Sequence, residues 1–332
     1  MVRAAQAGGV QFDLARRQFL FQPYFVMAID RQFILQQTLQ AVASAAPGEL
    51  RKSLNCKVVF KGEEGVDAGG VTKEFFQLLV VQLFDINTGM WSTEFGDGRN
   101  TWFNADCTWN QDGYYLVGVM IGLAVYNSVI LDVHFPQTVY RKLLGLPLGL
   151  EDMVDPEVQR GLQDMLDYEK DDVEDVFCLT FEVTWHSLGM ERKRQLKPGG
   201  ANTPVTSGNR EEYVMLYFKW LLVDSIKSQY DECERGFMQV MEDSSLELLR
   251  PEELELMVAG TPELDFDALE RNAEYEGGFD RESPVVKNLW RFVKQAPTLE
   301  IFNGKQQSSY WRSRRTSVQS ATVRKESIFV VV

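Results

Sequence analysis

The stretch Tyr114 to Leu131, YYLVGVMIGLAVYNSVIL, constrains the fold most. It is nearly long enough to cross a bilayer, but Gly118, Gly122, Asn127 and Ser128 interrupt it, and Asp132 and His134 follow at once. We therefore expect a helix buried on all sides, which demands a core built from many other elements. A chain of 332 residues can build one without disulfide or metal staples. The N-terminus has no apolar segment ahead of its arginines, so no signal peptide is expected and the cytoplasm or nucleus is the expected location.

Charge excludes some partners. The formal net charge is −14. A nucleic-acid surface needs a basic face, and adsorption to anionic lipid needs one too. We expect neither nucleic acid nor membrane, and a partner that is protein. The four cysteines, Cys56, Cys107, Cys178 and Cys233, lie far apart with no C-x-x-C pair, so they read as reduced thiols. Cys107 lies in a polar loop-like context and is the one weak candidate for a nucleophile. Neither His134 nor His186 can be placed beside it, and a cysteine hydrolase is the weakest reading. Cys178 and Cys233 read as core. GEEGVDAGG lacks the Gly-Lys-Ser/Thr of a phosphate loop, and DYEKDDVEDVF lacks the spacing of a calcium loop. We expect neither cofactor nor metal.

Three regions differ in composition. Residues 1–19 read as a frayed leader, 20–295 as globular, and 296–332 as a divergent, disordered tail. From Lys305 to Lys325 the tail has six basic residues and no acidic one. Within the globular part, Lys57–Phe60 reads as a strand and 71–84 as a deeply buried helix. Asp155 and Pro156 open a helix whose Val158, Leu162, Met165 and Leu166 share a face. LTFEVT, 179–184, alternates as a strand, and 196–207 reads as a loop or hairpin connection. Asn209 with Glu212 predicts a capping box ahead of a helix over 209–226. Tyr213, Tyr217 and Trp220 share one face of it. Half-buried structure is the simpler reading of these rings; a groove for a partner's loop is the other. RPEELELMV, from Arg250, reads as a further helix. The fold class is α+β, predominantly helical.

Several stretches together resemble the HECT domain of the ubiquitin ligases. They are KVVFKGEEGVDAGGVTKEFFQLLV, GLAVYNSVILDVHFPQTVYRKLLG, NREEYVMLYFKWLLVDSI, ERGFMQV, LRPEELELMVAG and LDFDALERNAEYEGGF, in family order over about residues 20–295. The resemblance implies the N-lobe of that domain. A large subdomain would cover about 20–154 and 240–295, and a small subdomain that binds the ubiquitin-conjugating enzyme about 155–239. It implies a groove carrying Leu162 and Leu166 on one helix, Val183 on a strand, and Tyr213 and Tyr217 on an aromatic helix. The partners it implies are the conjugating enzyme and, beyond it, ubiquitin. The family's C-lobe motifs, L-x-F-x-T-G and T-C-F-N, do not follow Lys294, and only Arg31 stands where the family has an arginine pair. On the resemblance, none of the four cysteines takes the thioester role, and the chain is expected to dock a conjugating enzyme without catalysing transfer. The alternative is a splice form, or an incomplete version, of an active transferase.

Overall fold

The computed structural model describes residues 24–46, 48–52, 55–63, 70–92, 101–107, 110–187, 190–241, 246–261, 266–275 and 278–295, with four short strands at 6–7, 10–13, 18–21 and 321–323. The first three of these, β1 (Gln6–Ala7), β2 (Val10–Asp13) and β3 (Gln18–Phe21), form an antiparallel sheet within the segment expected to be a frayed leader.

The body begins with β4 (Tyr24–Ile29), which runs parallel to β5 (Asn55–Phe60), with Tyr24 opposite Asn55 and Ile29 opposite Phe60. The expected strand at 57–60 is the second half of β5. Its crossover carries α1 (Ile34–Ala43) and α2 (Glu49–Lys52). Met27, Ile29, Val58 and Phe60 turn into the core, while Val26 and Val59 face solvent, the period of two that a pleated strand imposes. Helix α3 (Gly70–Leu83) follows. It was expected to be deeply buried, yet Val81 is 71% exposed, so its apolar surface exceeds what the core covers.

The long apolar run forms α4 (Gln111–Tyr126), buried continuously from Gly113 to Val125. Among the described residues no helix is long and apolar enough to cross a membrane. Two short strands, β6 (Trp91–Ser92) and β7 (Trp102–Phe103), close over the N-terminal end of α4, where the Tyr114 hydroxyl donates to Met90 O at 2.6 Å. Helix α5 (Gln137–Leu143) comes next. The main partner of α4 is α9 (Lys227–Val240), the most extensive helix pairing in the molecule. Glycines set their separation. A Cβ on Gly118 would strike the backbone carbonyl of Cys233, and one on Gly236 would strike that of Tyr115. Both glycines are needed because backbone meets backbone there.

Between α5 and α9 lies the segment that positions the candidate site: α6 (Pro156–Asp167), α7 (Val173–Phe177), the antiparallel hairpin of β8 (Glu182–Ser187) and β9 (Met190–Gln195), and α8 (Arg210–Lys219). The strand expected at 179–184 starts three residues later. Cys178, with φ +50, reverses the chain at the end of α7, and residues 179–181 spend their hydrogen bonds on the 196–205 loop instead of a ladder. The expected capping box is absent: Asn209 Oδ1 accepts from Thr206 N behind it, and Glu212 pairs with Lys197. Nor does one helix run over 209–226, because Trp220–Asp224 widens into a π turn before α9.

The chain continues through α10 (Pro251–Ala259), α11 (Phe266–Arg271), β10 (Ala273–Tyr275) and α12 (Pro284–Gln295). Val286 and Trp290 nucleate a small apolar cluster separate from the main core. The final strand, β11 (Ala321–Val323), lies in the tail expected to be unstructured and pairs in parallel with β10. Among the described residues, mainly helix with five small sheets agrees with the expected α+β, predominantly helical class.

Candidate functional site

Helix α6 starts where Asp155 accepts from Glu157 N at 2.8 Å and Val158 N at 3.4 Å, with Pro156 in the first turn. An acceptor at this position satisfies amide donors that the helix cannot. The apolar face read from spacing is real: Leu162 and Met165 are buried, Val158 and Leu166 half-buried. Helix α7 anchors through Val173, which is fully buried, and leaves Val176 52% exposed, with Leu179 37% exposed just beyond.

Helix α8 has two working faces. On the first, the rings form a continuous row. Phe181 meets Tyr213 edge-on with centroids 5.4 Å apart, Tyr213 lies 5.9 Å from Tyr217, Tyr217 5.9 Å from Trp220, and Trp220 5.1 Å from Trp185 of β8. Such rings stabilise by edge and offset contact beyond the area they bury. Burial pushes the Tyr213 hydroxyl up to about 12. Burial, followed by the Asp155 carboxylate, raises that of Tyr217. The second face, with Glu211, Val214, Met215 and Phe218, lines an open groove of about 520 Å³ against Leu150, Gln163, Leu166 and Asp167.

The five residues named from the sequence therefore divide. Tyr213, Val183 and Leu162 lie beneath the surface, at 3%, 4% and 5% exposure. Tyr217 is half-buried in the ring row, and Leu166 is half-buried at the groove. The structure brings Tyr213 and Tyr217 into contact, and it packs α6 against α8. Sequence reasoning missed Leu150, Val214, Met215 and Phe218 in the groove, and Val176 and Leu179 at its neighbour. The spacing Glu211, Val214, Met215, Phe218 was available as a helical stripe. Apolar residues on every side of α8 hid it.

Three contacts tie this segment to the body. Lys142 of α5 donates from Nζ to Leu222 O in the π turn at 2.8 Å and lies over the Tyr230 ring at 4.2 Å. Trp185 Nε1 donates to Asp106 Oδ2 at 3.4 Å. Gln229, 1% exposed, holds the loop bearing Asp106 by donating to the carbonyls of Asn104, Ala105 and Cys107 at 3.2, 2.9 and 3.2 Å.

The cysteines depart from their expected places. Cys107, read as lying in a polar loop, is fully buried, since that loop folds under α9. Cys178, read as core, is exposed because the chain reverses at it; its thiol donates to Asp175 O at 3.1 Å. Cys233 is buried as expected, and burial pushes its thiol up to about 12. The side chain of Cys56 lies outside the described residues. Among the described residues no three His, Cys, Asp or Glu side chains gather as a metal site.

The HECT-domain (ubiquitin-transferase) family model matches residues 77–300. The chain is 38% identical over 277 residues to the probable E3 ubiquitin-protein ligase HERC3 of Homo sapiens, covering 83% of this chain and 26% of that protein. It is 38% identical over 287 residues to the probable E3 ubiquitin-protein ligase HECTD2 of Mus musculus, covering 82% of this chain and 36% of that one. With the probable E3 ubiquitin-protein ligase HUL4 of Eremothecium gossypii it shares 35% identity over 296 residues, 84% of this chain and 35% of the relative. The chain thus spans between 26% and 36% of the length of these relatives.

Proposed function

The chain belongs to the HECT-domain family of ubiquitin transferases, and on that premise we propose that residues 155–239 form a unit that docks a ubiquitin-conjugating enzyme. The observation that carries this reading is the ring row along α8, with α6 packed against that helix. Aromatic side chains set against an apolar rim are what partner loops find at interface hot spots. Tyr213, Val183 and Leu162 form the floor of the docking surface. Leu166 and Tyr217 form the part a loop touches, widened by Val176 and Leu179.

The test is calorimetric titration of the full chain with a panel of conjugating enzymes. Leu166→Ala and Tyr217→Ala should each weaken the tightest pair about tenfold, as truncated hot-spot contacts do. Tyr213→Ala should weaken it too, by removing the floor. Affinities unchanged in Leu166→Ala and Tyr217→Ala would remove the assignment.

The same proposal holds that this chain alone does not accept ubiquitin as a thioester. A thiolate nucleophile needs access and a positive setting. Cys107 and Cys233 are buried. Cys178 is exposed, and its thiol donates to the Asp175 carbonyl. Incubation with activating enzyme, conjugating enzyme, ATP and ubiquitin should give no thiol-sensitive adduct on a non-reducing gel. Such an adduct would overturn this part. Transferase activity of a longer protein containing this chain is a second reading, drawn from relatives about two to three times its length.

A further inference from the structure

The charge of the chain is unevenly spread. Residues 151–182, which include α6 and α7, hold twelve acidic residues and only two basic ones, Arg160 and Lys170. Residues 305–325 hold six basic residues and no acidic one. One part of the sequence thus complements another.

The groove between α6 and α8 gives that complementarity a place. Leu166, Val214, Met215 and Phe218 make its apolar floor, and Asp167 and Glu211 stand at its rim. Met215 is 60% exposed and forms part of that floor, so covering it would remove apolar surface from water. Asp167 accepts from the neutral amide of Gln163 at 2.9 Å, which leaves its charge uncompensated by that contact. An apolar floor under a carboxylate rim fits a segment with an aromatic anchor flanked by cations. The tail contains one: Tyr310 and Trp311, followed by Arg312, Arg314 and Arg315.

We infer that the segment around Trp311 docks in cis in the groove between α6 and α8, the ring over Met215 and Phe218 and the arginines against the carboxylates of α6 and α7. Reach permits it. The segment runs from Gln295, the end of α12, to Ala321, where β11 pairs with β10. Sixteen residues separate Gln295 from Trp311 and ten separate Trp311 from Ala321. Those lengths extend to about 50 and about 33 Å, against a radius of gyration of about 20 Å for a globular chain of this size. The contact itself stands apart from the docking of a conjugating enzyme. Its consequence rests on that reading: the two would compete, because both use Leu166 and α8.

The direct test places a photoreactive benzoylphenylalanine at position 311 of the full chain and maps the adduct by mass spectrometry. The expected product is monomeric, with the insertion at Met215 or its neighbours on α6 and α8, and its yield falls as salt screens the pairs. Insertion elsewhere, or only between two copies, would overturn the inference. Because that side chain could misplace the tail, amide exchange of the unaltered chain supplies a second measurement. Arg312→Glu/Arg314→Glu/Arg315→Glu should speed exchange over 163–167 and 211–218 about tenfold, the scale of several exposed charge pairs lost together. Adding Asp167→Lys/Glu211→Lys should restore protection. Equal exchange in wild type and triple variant would sink the contact. Faster exchange in the triple variant, with unchanged affinity for conjugating enzyme, would keep the contact and remove the competition.

Discussion

Helices α4 and α8 are both crowded with apolar and aromatic residues, and they end in opposite situations. Helix α4 is covered on every side from Gly113 to Val125. Helix α8 buries Tyr213, half-buries Tyr217, leads into the buried Trp220 and leaves Met215 exposed over an open groove. Apolar density is therefore not what separates core from surface here. Glycine placement is. Gly118 and Gly122 let the backbone of α9 approach α4, so that two helices share one buried seam. Helix α8 has no glycine, and an open groove remains between it and α6.

The sharpest way to break this comparison is to give α4 a side chain where it has none. A Cβ at Gly118 or Gly236 meets backbone atoms, which cannot swing away. Gly118→Ala and Gly236→Ala should each cost about 3 kcal/mol or more, as overpacked cores do. Urea melts would show it as a lower midpoint with an unchanged slope. Stability near wild type in both variants would mean that the seam is looser than it looks.

The next effect lies where body and docking unit join. Burial pushes the Lys142 amine down to about 8, against an ordinary value of 10.5, with Glu234 and Asp231 opposing the shift and Lys227 reinforcing it. Below pH 8 both folded and unfolded chains hold this proton, and the desolvation penalty is present in full. Between about pH 8 and 10.5 the unfolded chain holds the proton and the folded chain does not, so stability rises with pH. The gain should be about 2–3 kcal/mol across that window. The buried hydroxyls of Tyr114 and Tyr230 pull the other way above pH 10, since they stay protonated when folded. Subtracting the profile of Lys142→Met from that of wild type isolates the lysine. A flat difference would show that the amine is solvated.

How much of this was legible in the sequence follows from the same physics. The buried helix within 114–131, which ends at Tyr126, and the face of Leu162 and Leu166 could be read because spacing and length largely decide them. The Asp155 cap could be read because its partners are two and three residues away. The Asn209 cap was misread because its side-chain oxygen accepts from the Thr206 amide behind it and Glu212 pairs with Lys197, both set by the path of the preceding loop. The π turn at Trp220–Asp224 left no mark in composition. It is held by Lys142, nearly eighty residues upstream. The open groove was invisible for a related reason: exposure on α8 depends on how far α6 and the turn at Leu150 stand from it, and no local pattern encodes that separation.

A smaller effect tests the cap and the ring row together. Asp155→Ala should destabilise by about 1 kcal/mol, the usual worth of such a cap. It also removes the charge that, after burial, raises the Tyr217 hydroxyl. An ultraviolet titration should then show one tyrosine ionising at lower pH than in wild type. A stability loss with no spectral change would place Tyr217 farther from α6 than the structure does.

The smallest effect carries the comparison to its end. With Arg312→Glu/Arg314→Glu/Arg315→Glu holding the tail off the groove, Met215→Ala on the open face of α8 should change stability by less than about 0.5 kcal/mol, because a side chain in water contributes little to folding. Trp220→Ala on the inward face of the same run of chain should cost about 3 kcal/mol or more, since a buried indole leaves a cavity. The contrast follows from which face each residue occupies, five positions apart. In the chain with its arginines intact, Met215→Ala should destabilise by more, about 1 kcal/mol, because the inferred docking covers the groove in the folded protein. Comparing melts in the two backgrounds tells whether that cover is the basic tail, because removing the cover should return the Met215→Ala effect to near zero.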